Sequence, residues 1–427
     1  MTFWRVLGAV SLVGLTACEY PRLLSDSADS GSNGSNDSTC SASNDCANRN
    51  DTPVCDIALN GGTCVQCTTP DTHACPGEVC KDDACQLCTR HSQCSSNVCL
   101  ANGTCAKATD VAYVRPTGSG SECTDAAPCK TINDALVANK PIIKVEGTIA
   151  DNMATVIDGK TVQILGDVGS KLTRVNPGTI LDVRNDGTDV RIYDLEITGG
   201  SGMKTDPMIS LSASGSPKLT LTRANVHDNA GIGISASSGI LTLSRCTISK
   251  NAGGGISLTA AQFDITNSFI VDNGGATGTD ATTVSAISLD NTNTGTRRLE
   301  FNTITHNNAA TGLVGGVLCT IAQPAAFSNN IVYDNNSGTG KLEIGGNCSW
   351  TYSDIGDSSA TQTVDGTGNA NMNPSFVTPG TDYHLTSASP AKNAADPAAT
   401  QSIDFDGDPR PQGGRSDIGA DEFKLPP

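Results

Sequence analysis

Apolar residues recur in one pattern across residues 190–358. Each unit reads apolar, any, apolar, two residues, small, any, apolar, two residues, then Asn or another small residue. Successive units start 22 to 34 residues apart, which indicates a repeat with connecting loops of variable length. The units start at Val190, Leu219, Leu241, Phe263, Arg297, Ala325 and Cys348.

This pattern alternates with a period of two over short runs, which is typical of strands with one buried face. A unit this short cannot bury its apolar face alone, whereas stacked copies can. The sequence therefore predicts an all-β solenoid, a parallel β-helix whose coils stack about 4.8 Å apart.

The last position of the unit is Asn in most copies. We expect these side chains to lie above one another and to hydrogen-bond along the stack, as amide ladders do. Asn also tolerates the left-handed backbone of a tight corner, so a simple role as turn residues is the alternative. The ladder residues are Asn229, Asn251, Asn273, Asn307 and Asn335.

The N-terminus has the features of an export signal. Arg5 precedes an apolar run at residues 6–15, and Leu-Thr-Ala-Cys ends it at Cys18. This ending resembles the lipobox of bacterial lipoproteins, which implies removal of residues 1–17 and lipidation of Cys18. An ordinary secretory signal is the alternative.

Residues 18–39 are rich in Ser, Asp, Asn and Gly and predict a flexible tether. With a lipid anchor in the membrane, we expect the protein in the bacterial cell envelope, at the outer membrane or cell surface.

Residues 40–105 contain twelve cysteines with few apolar residues between them. Because no core can form there, disulfides are expected, two in each group of four. Zinc at Cys64-x-x-Cys67 and Cys85-x-x-Cys88 is the alternative. The segment resembles small Cys-rich repeats of secreted bacterial proteins and predicts a stalk or interaction module. The groups are Cys40, Cys46, Cys55 and Cys64; Cys67, Cys75, Cys80 and Cys85; Cys88, Cys94, Cys99 and Cys105.

Residues 106–427 are assigned to the solenoid, with an N-terminal cap at 111–150. The cap should contain a strand, a short helix at 131–138 and a strand at 142–147. This order resembles the entry to pectin-lyase-like right-handed β-helices. Cys123 with Cys129, and Cys319 with Cys348, are expected disulfide pairs, which leaves Cys246 as a buried thiol.

The C-terminal stretch, 373–427, departs from the repeat. It contains Ser-Pro-Ala at 389–391, Asp-Gly-x-x-Arg at 406–410 and Asp-Ile-Gly-Ala-x-Glu at 417–422. These motifs resemble the closing segment of the choice-of-anchor Q family of secreted β-helix proteins. The resemblance implies a fold and a surface location, and it implies no reaction.

The charge balance limits the partners. A net charge of −17 argues against a nucleic-acid partner and is compatible with cations or basic partners. Polysaccharide and envelope proteins remain as possible partners.

Two acidic residues are candidates for catalysis. Asp228 and Asp272 each precede a ladder Asn and should point outward two coils apart, roughly 9.6 Å. Inverting glycosidases separate their carboxylates by about 6.5–9.5 Å. A solvated face with alternating charges is the alternative.

Two arginines are candidates as well. Arg223 and Arg245 should stack beside Asp194, and a polysaccharide lyase of this fold can use an Arg as base with Ca²⁺ neutralising a uronate. A ladder of surface ion pairs is the alternative.

A calcium loop is suggested near the C-terminus. Asp404, Asp406 and Asp408 flank Gly407 and resemble the start of an EF-hand loop, although the distal Glu is missing. A structural turn in which Arg410 closes a salt bridge is the alternative.

The sequence thus predicts a lipid-anchored surface protein that binds glycan or an envelope partner without catalysis. A lyase or glycoside hydrolase acting on acidic polysaccharide is the second hypothesis, because fold does not fix function. A structural spacer is the third.

Overall fold

The computed structural model describes residues 40–424, apart from 60–61, 69–74, 213–214, 276–285, 291–294, 322–324, 339 and 357–365. The predicted signal peptide, Cys18 and the tether lie outside the described residues. Contacts divide the chain into two compact units, Met1–Ala74 with Cys80–Cys85, and Cys75–Val79 with Gln86–Pro427. Within the described part, no helix is long and apolar enough to cross a membrane.

Short elements form the Cys-rich segment. They are the 3₁₀ helices Ser43–Asp45 and His91–Gln93 and the strands β1 (Val54–Asp56), β2 (Thr63–Val65), β3 (Val79–Lys81) and β4 (Ala84–Gln86). A further 3₁₀ helix, Ala108–Asp110, precedes the solenoid.

Three long parallel sheets make up the larger unit. The first sheet contains β5 (Val111–Val114), β6 (Ile142–Val145), β9 (Thr161–Gly166), β12 (Asp189–Tyr193), β15 (Lys218–Thr222), β18 (Ile240–Ser244), β21 (Gln262–Thr266), β24 (Arg297–Glu300), β28 (Ala326–Ser328) and β33 (Ser349–Thr351). The second contains β7 (Thr148–Asp151), β10 (Lys171–Arg174), β13 (Glu196–Thr198), β16 (Asn225–His227), β19 (Thr247–Ser249), β22 (Phe269–Val271), β25 (Thr303–Thr305), β29 (Ile331–Tyr333) and β34 (Asp354–Ile355).

The third sheet closes each coil. It contains β8 (Thr155–Asp158), β11 (Leu181–Arg184), β14 (Pro207–Ser212), β17 (Ile232–Ala236), β20 (Gly254–Thr259), β23 (Ile287–Asp290), β27 (Val317–Cys319) and β32 (Ile344–Gly346). A small sheet of β26 (Asn308–Ala309), β30 (Asn336–Ser337) and β31 (Gly340–Lys341) borders the last coils. The hairpin of β35 (Phe376–Thr378) and β36 (Asp382–Leu385) belongs to the closing segment.

The register of the first sheet follows the sequence repeat. Leu219 pairs with Leu241, which pairs with Phe263, and all three side chains are completely buried. This confirms the predicted parallel β-helix. The solenoid also extends upstream of the recognised repeat, because Val162 pairs with Val190 on the next coil.

The Asn ladder is present. Each amide donates to the carbonyl oxygen of the next side chain, over 2.8, 2.9, 3.0 and 2.8 Å from one coil to the next. The five side chains are at most 2% exposed, so every bond is shielded from water. They are Asn229, Asn251, Asn273, Asn307 and Asn335.

The left-handed corner lies one residue earlier than expected. The ladder residues do not have positive φ; the residue before each one does, with φ between 51° and 60°. The side-chain amide of each ladder Asn is therefore used for hydrogen bonding. The residue before it adopts the left-handed backbone conformation of the corner, and its side chain points away from the core. These neighbours are Asp228, Lys250, Asp272, His306 and Asp334.

A second ladder occupies the small-residue position of the unit. The Oγ of Ser268 accepts from the backbone N–H of Cys246, and the Oδ1 of Asn302 accepts from the N–H of Ser268. Asn330 continues the series, because its Oδ1 accepts from both the backbone and the side chain of Asn302. Polar side chains thus satisfy the backbone at two corners of the coil.

The Asn ladder ends on a carboxyl group. Glu343 is completely buried, and its oxygens accept from the backbone N–H and the Nδ2 of Asn335. Burial outweighs these hydrogen bonds and raises the pKa of Glu343 to about 7.

The N-terminal end of the solenoid is covered by helix α1 (Ile132–Val137). Thr131 accepts from the N–H of Asp134, and the Asp134 carboxylate accepts from Thr131 in return, which forms a capping box. Ile132, Ala135 and Leu136 are buried against the first coils.

Apart from Cys246, the cysteines of the described residues are disulfide-bonded. In the smaller unit, Cys40 bonds Cys55, Cys46 bonds Cys64 and Cys67 bonds Cys80; in the larger unit, Cys88 bonds Cys99, Cys94 bonds Cys105, Cys123 bonds Cys129 and Cys319 bonds Cys348.

Zinc between the groups is excluded by this pairing, because all four cysteines of that alternative are disulfide-bonded. Cys246 is a buried free thiol, and burial raises its pKa to about 11, so it is inert at neutral pH.

The closing segment runs back along the second sheet. Phe376, Tyr383 and Ile418 pack with Phe269 and Ile331, whose side chains point outward from the coils. The segment thus covers part of the solenoid's side and does not only seal its end.

Candidate functional site

A groove of about 700 Å³ lies between the third Cys group and one corner of the coils. Tyr113 donates from its hydroxyl to the carbonyl of Ser96 over 2.6 Å, and Val98 packs against Tyr113 and Leu165. These contacts hold the third Cys group against the first sheet and form one wall of the groove.

The opposite wall is a column of corner residues. Asp194, Arg223 and Arg245 occupy equivalent positions on successive coils, and each has a positive φ, of 56°, 52° and 59°. The left-handed backbone turns each side chain out of the core and into the groove.

The two arginines differ in their partners. Arg223 forms a bidentate ion pair with Asp194, with two hydrogen bonds of 2.6 Å. Arg245, expected beside the same carboxylate, instead donates its Nε to the carbonyl of Phe405 over 2.7 Å. Its two Nη groups donate no hydrogen bond within the described part of the chain.

Burial and the neighbouring Arg223 lower the pKa of Arg245. Asp167, another lining residue, is paired with the buried Lys144 over 2.6 Å. Arg90 and Arg245 are therefore the lining cations without a carboxylate partner among the described residues. The groove can therefore bind a carboxylate, because its two oxygens can accept a pair of hydrogen bonds from one planar guanidinium group.

The predicted acidic pair is not brought together in one cleft. Asp228 is exposed and contacts His227 over 2.7 Å, while His227 also contacts Glu196. Asp272 lies under the closing segment, where it accepts from the Tyr383 hydroxyl over 2.7 Å, and burial raises its pKa. The expectation of two outward carboxylates on one open face is corrected for Asp272.

The predicted calcium loop has a different arrangement. Asp404 is buried, and its oxygens accept from the backbone N–H groups of Gly407, Asp408 and Glu422. Asp408 pairs with Lys424, whereas Asp406 points to a histidine of the closing segment. The three carboxylates do not converge on one point, because the carboxylate of Asp404 accepts hydrogen bonds from the backbone of its own turn.

Arg410 is also structural. It is completely buried and donates to Glu422 and to the carbonyls of Asp417, Gly419 and Ala420. Its partner is a glutamate twelve residues later, not one of the nearby aspartates.

Sequence reasoning missed the groove itself. The corner arginines were identified from the repeat, but the wall supplied by residues 88–103 depends on how the third Cys group docks. The spacing of the cysteines carries no signal of that docking.

Comparison with known proteins gives two family matches. The model described as "Right handed beta helix region" matches residues 149–294 and 207–359, and the model described as "Family of unknown function (DUF8331)" matches residues 22–111. No curated protein sequence matches the chain.

Among solved structures, pectate lyase Pel9A is similar at 14% identity and a TM-score of 0.41, over 74% of this chain and 96% of that chain. The parallel sheets and the β-helix match agree on the architecture. The chain folds as a right-handed parallel β-helix preceded by a disulfide-rich module.

Proposed function

We propose that the groove beside Arg223 and Arg245 binds an acidic polysaccharide without cleaving it. The observation that carries the proposal is the guanidinium of Arg245, which lines the groove and whose Nη groups donate no hydrogen bond among the described residues. A uronate carboxylate has the shape and charge to accept from that pair.

The groove suits a saccharide in size and surface. Its volume, about 700 Å³, lies within the range of roughly 300–1,000 Å³ that is usual for ligand sites. Tyr193 contributes apolar surface beside the arginines.

Loss of Arg245 tests this proposal. Titration calorimetry of the purified chain with oligogalacturonate should show binding, and a neutral oligosaccharide of equal length should bind at least about tenfold more weakly, which is about 1.4 kcal/mol. Arg245→Met should weaken uronate binding by at least about tenfold, because the charge-assisted bonds are lost.

Arg184→Met is the matched control. Arg184 is a half-exposed arginine on the third sheet, paired with Asp182, and it does not line the groove. Equal uronate affinity in Arg245→Met and the unmodified chain would contradict the proposal.

A polysaccharide lyase is the second candidate. The position of Arg245 favours it, because this side chain lines the groove and has no carboxylate partner among the described residues. A lyase would convert the uronate polymer to an unsaturated product, whose absorbance can be measured. If this product forms with the unmodified chain and does not form with Arg245→Met, the protein is a lyase and the proposal of non-catalytic binding is wrong.

We further propose that the protein is held in the cell envelope by lipid at Cys18. The support is the apolar run ending in Leu-Thr-Ala-Cys and the polar tether that follows. Cells fed a labelled fatty acid should incorporate label into the unmodified chain and not into Cys18→Ser. Label retained in Cys18→Ser would rule out this anchor.

A further inference from the structure

Three potential metal ligands meet in the closing segment, apart from the residues that line the groove. His384 on β36, Asp406 in the turn that follows Phe405 and Asp421 near the C-terminus each offer one ligand atom, and these atoms all lie within 4.8 Å of one another. The three residues come from separate stretches of the closing segment.

The histidine is oriented as metal ligands are. Its Nδ1 lies 2.6 Å from Oδ1 of Asp382, on the same strand. A carboxylate at one ring nitrogen fixes the tautomer and leaves the other nitrogen to coordinate an ion. Nε2 faces the cluster, 3.0 Å from Oδ2 of Asp406.

That second nitrogen is buried and makes no hydrogen bond within the described part of the chain. Its contact with Asp406 is close in distance but lies outside hydrogen-bond geometry. A metal ion between Nε2 of His384 and the carboxylate of Asp406 would give both groups a ligand bond, whereas their direct contact gives neither a hydrogen bond.

The third group is a carboxylate that is 6% exposed. One oxygen of Asp421 accepts from the backbone N–H of Leu385 over 2.7 Å. Asp404, which is completely buried, raises the local negative charge further. Buried carboxylates are costly unless they are paired or coordinate a metal.

We propose that His384, Asp406 and Asp421 bind a divalent transition-metal ion of the Zn²⁺ type. One imidazole nitrogen and two carboxylate oxygens suit Zn²⁺ with a water in the fourth position. Ca²⁺ prefers sites made only of oxygen. The ion fastens β36 to the two later stretches and thereby stabilises the segment that covers the second sheet.

Zinc titration of the full-length, oxidised chain tests the site. After chelator treatment and dialysis, calorimetry and metal analysis should give one Zn²⁺ per chain. Asp406→Asn and His384→Ala should each weaken binding at least about tenfold. Asp408→Asn, in the same turn but paired with Lys424, should bind as the unmodified chain does.

Cobalt gives an independent readout, because Co²⁺ bound in a four-coordinate N/O site has a visible spectrum that Asp406→Asn should abolish. Asp406 is half-exposed, so its substitution leaves a folded protein even if His384→Ala does not. Absence of Zn²⁺ binding, unchanged affinity in Asp406→Asn, or tighter binding of Ca²⁺ than of Zn²⁺ would each overturn the proposal. Sugar binding is not part of the readout, so the groove and the metal site are tested separately.

Discussion

Asn273→Ala is expected to lower the free energy of unfolding by about 4 kcal/mol. Asn273 stands in the middle of the ladder, where its Oδ1 accepts from the N–H and the Nδ2 of Asn251 and its Nδ2 donates to Asn307. Alanine leaves these buried groups short of partners, at roughly 1–3 kcal/mol for each one orphaned, and adds a small cavity.

Urea unfolding followed by circular dichroism measures this loss. Asn176→Ala is the matched control, because Asn176 is exposed and donates its amide to the carbonyl of Asn152. A change within about 0.5 kcal/mol is expected there. If the two variants were destabilised equally, the ladder would not be the source of the stability.

Glu343→Gln is expected to stabilise the protein by about 3 kcal/mol at pH 8 and to have little effect at pH 4. The pKa of Glu343 is raised from 4.5 to about 7 in the folded protein. The folded state therefore holds a proton that the unfolded chain has released between these pH values, and stability falls as the pH rises through this window. At roughly 1.4 kcal/mol per pKa unit the loss reaches about 3 kcal/mol above pH 7.

Glutamine has no proton to lose, and its carbonyl oxygen can still accept from Nδ2 of Asn335. The difference in unfolding free energy between Glu343→Gln and the unmodified chain should therefore grow from pH 4 to pH 8. Glu122→Gln, at an exposed position, is the control and should show no such growth. A difference that stays constant with pH would show that the pKa of Glu343 is the same in the folded and unfolded states.

The repeat made the coils and the ladder predictable from sequence, because both depend on residues at fixed spacing within one unit. The coils before residue 190 were harder to predict from the sequence. Strand β6 contains the buried Lys144, whose Nζ reaches Asp167 on the next coil, so its pattern departs from the apolar consensus. The residue with positive φ lies one position before the ladder Asn, and not at the Asn as predicted, because the Asn side chain is used for hydrogen bonds along the ladder.

The sites depend on contacts that a repeat cannot show. Arg245 binds the carbonyl of Phe405, 160 residues later, and Asp272 binds the hydroxyl of Tyr383, 111 residues later. Both partners belong to the closing segment, whose path along the second sheet has no periodic signal. The convergence of His384, Asp406 and Asp421 has the same origin.

The residues that precede the ladder Asn residues share one left-handed backbone conformation but differ in their side chains. Aspartate, lysine and histidine all occupy them, at Asp228, Lys250, Asp272, His306 and Asp334. At the exposed corners, Asp228 and Lys250, mutation alters what the surface displays while the hydrogen-bonded amide behind it keeps the coil in place. A binding face on this scaffold can therefore change its specificity during evolution one coil at a time, in steps of about 4.8 Å.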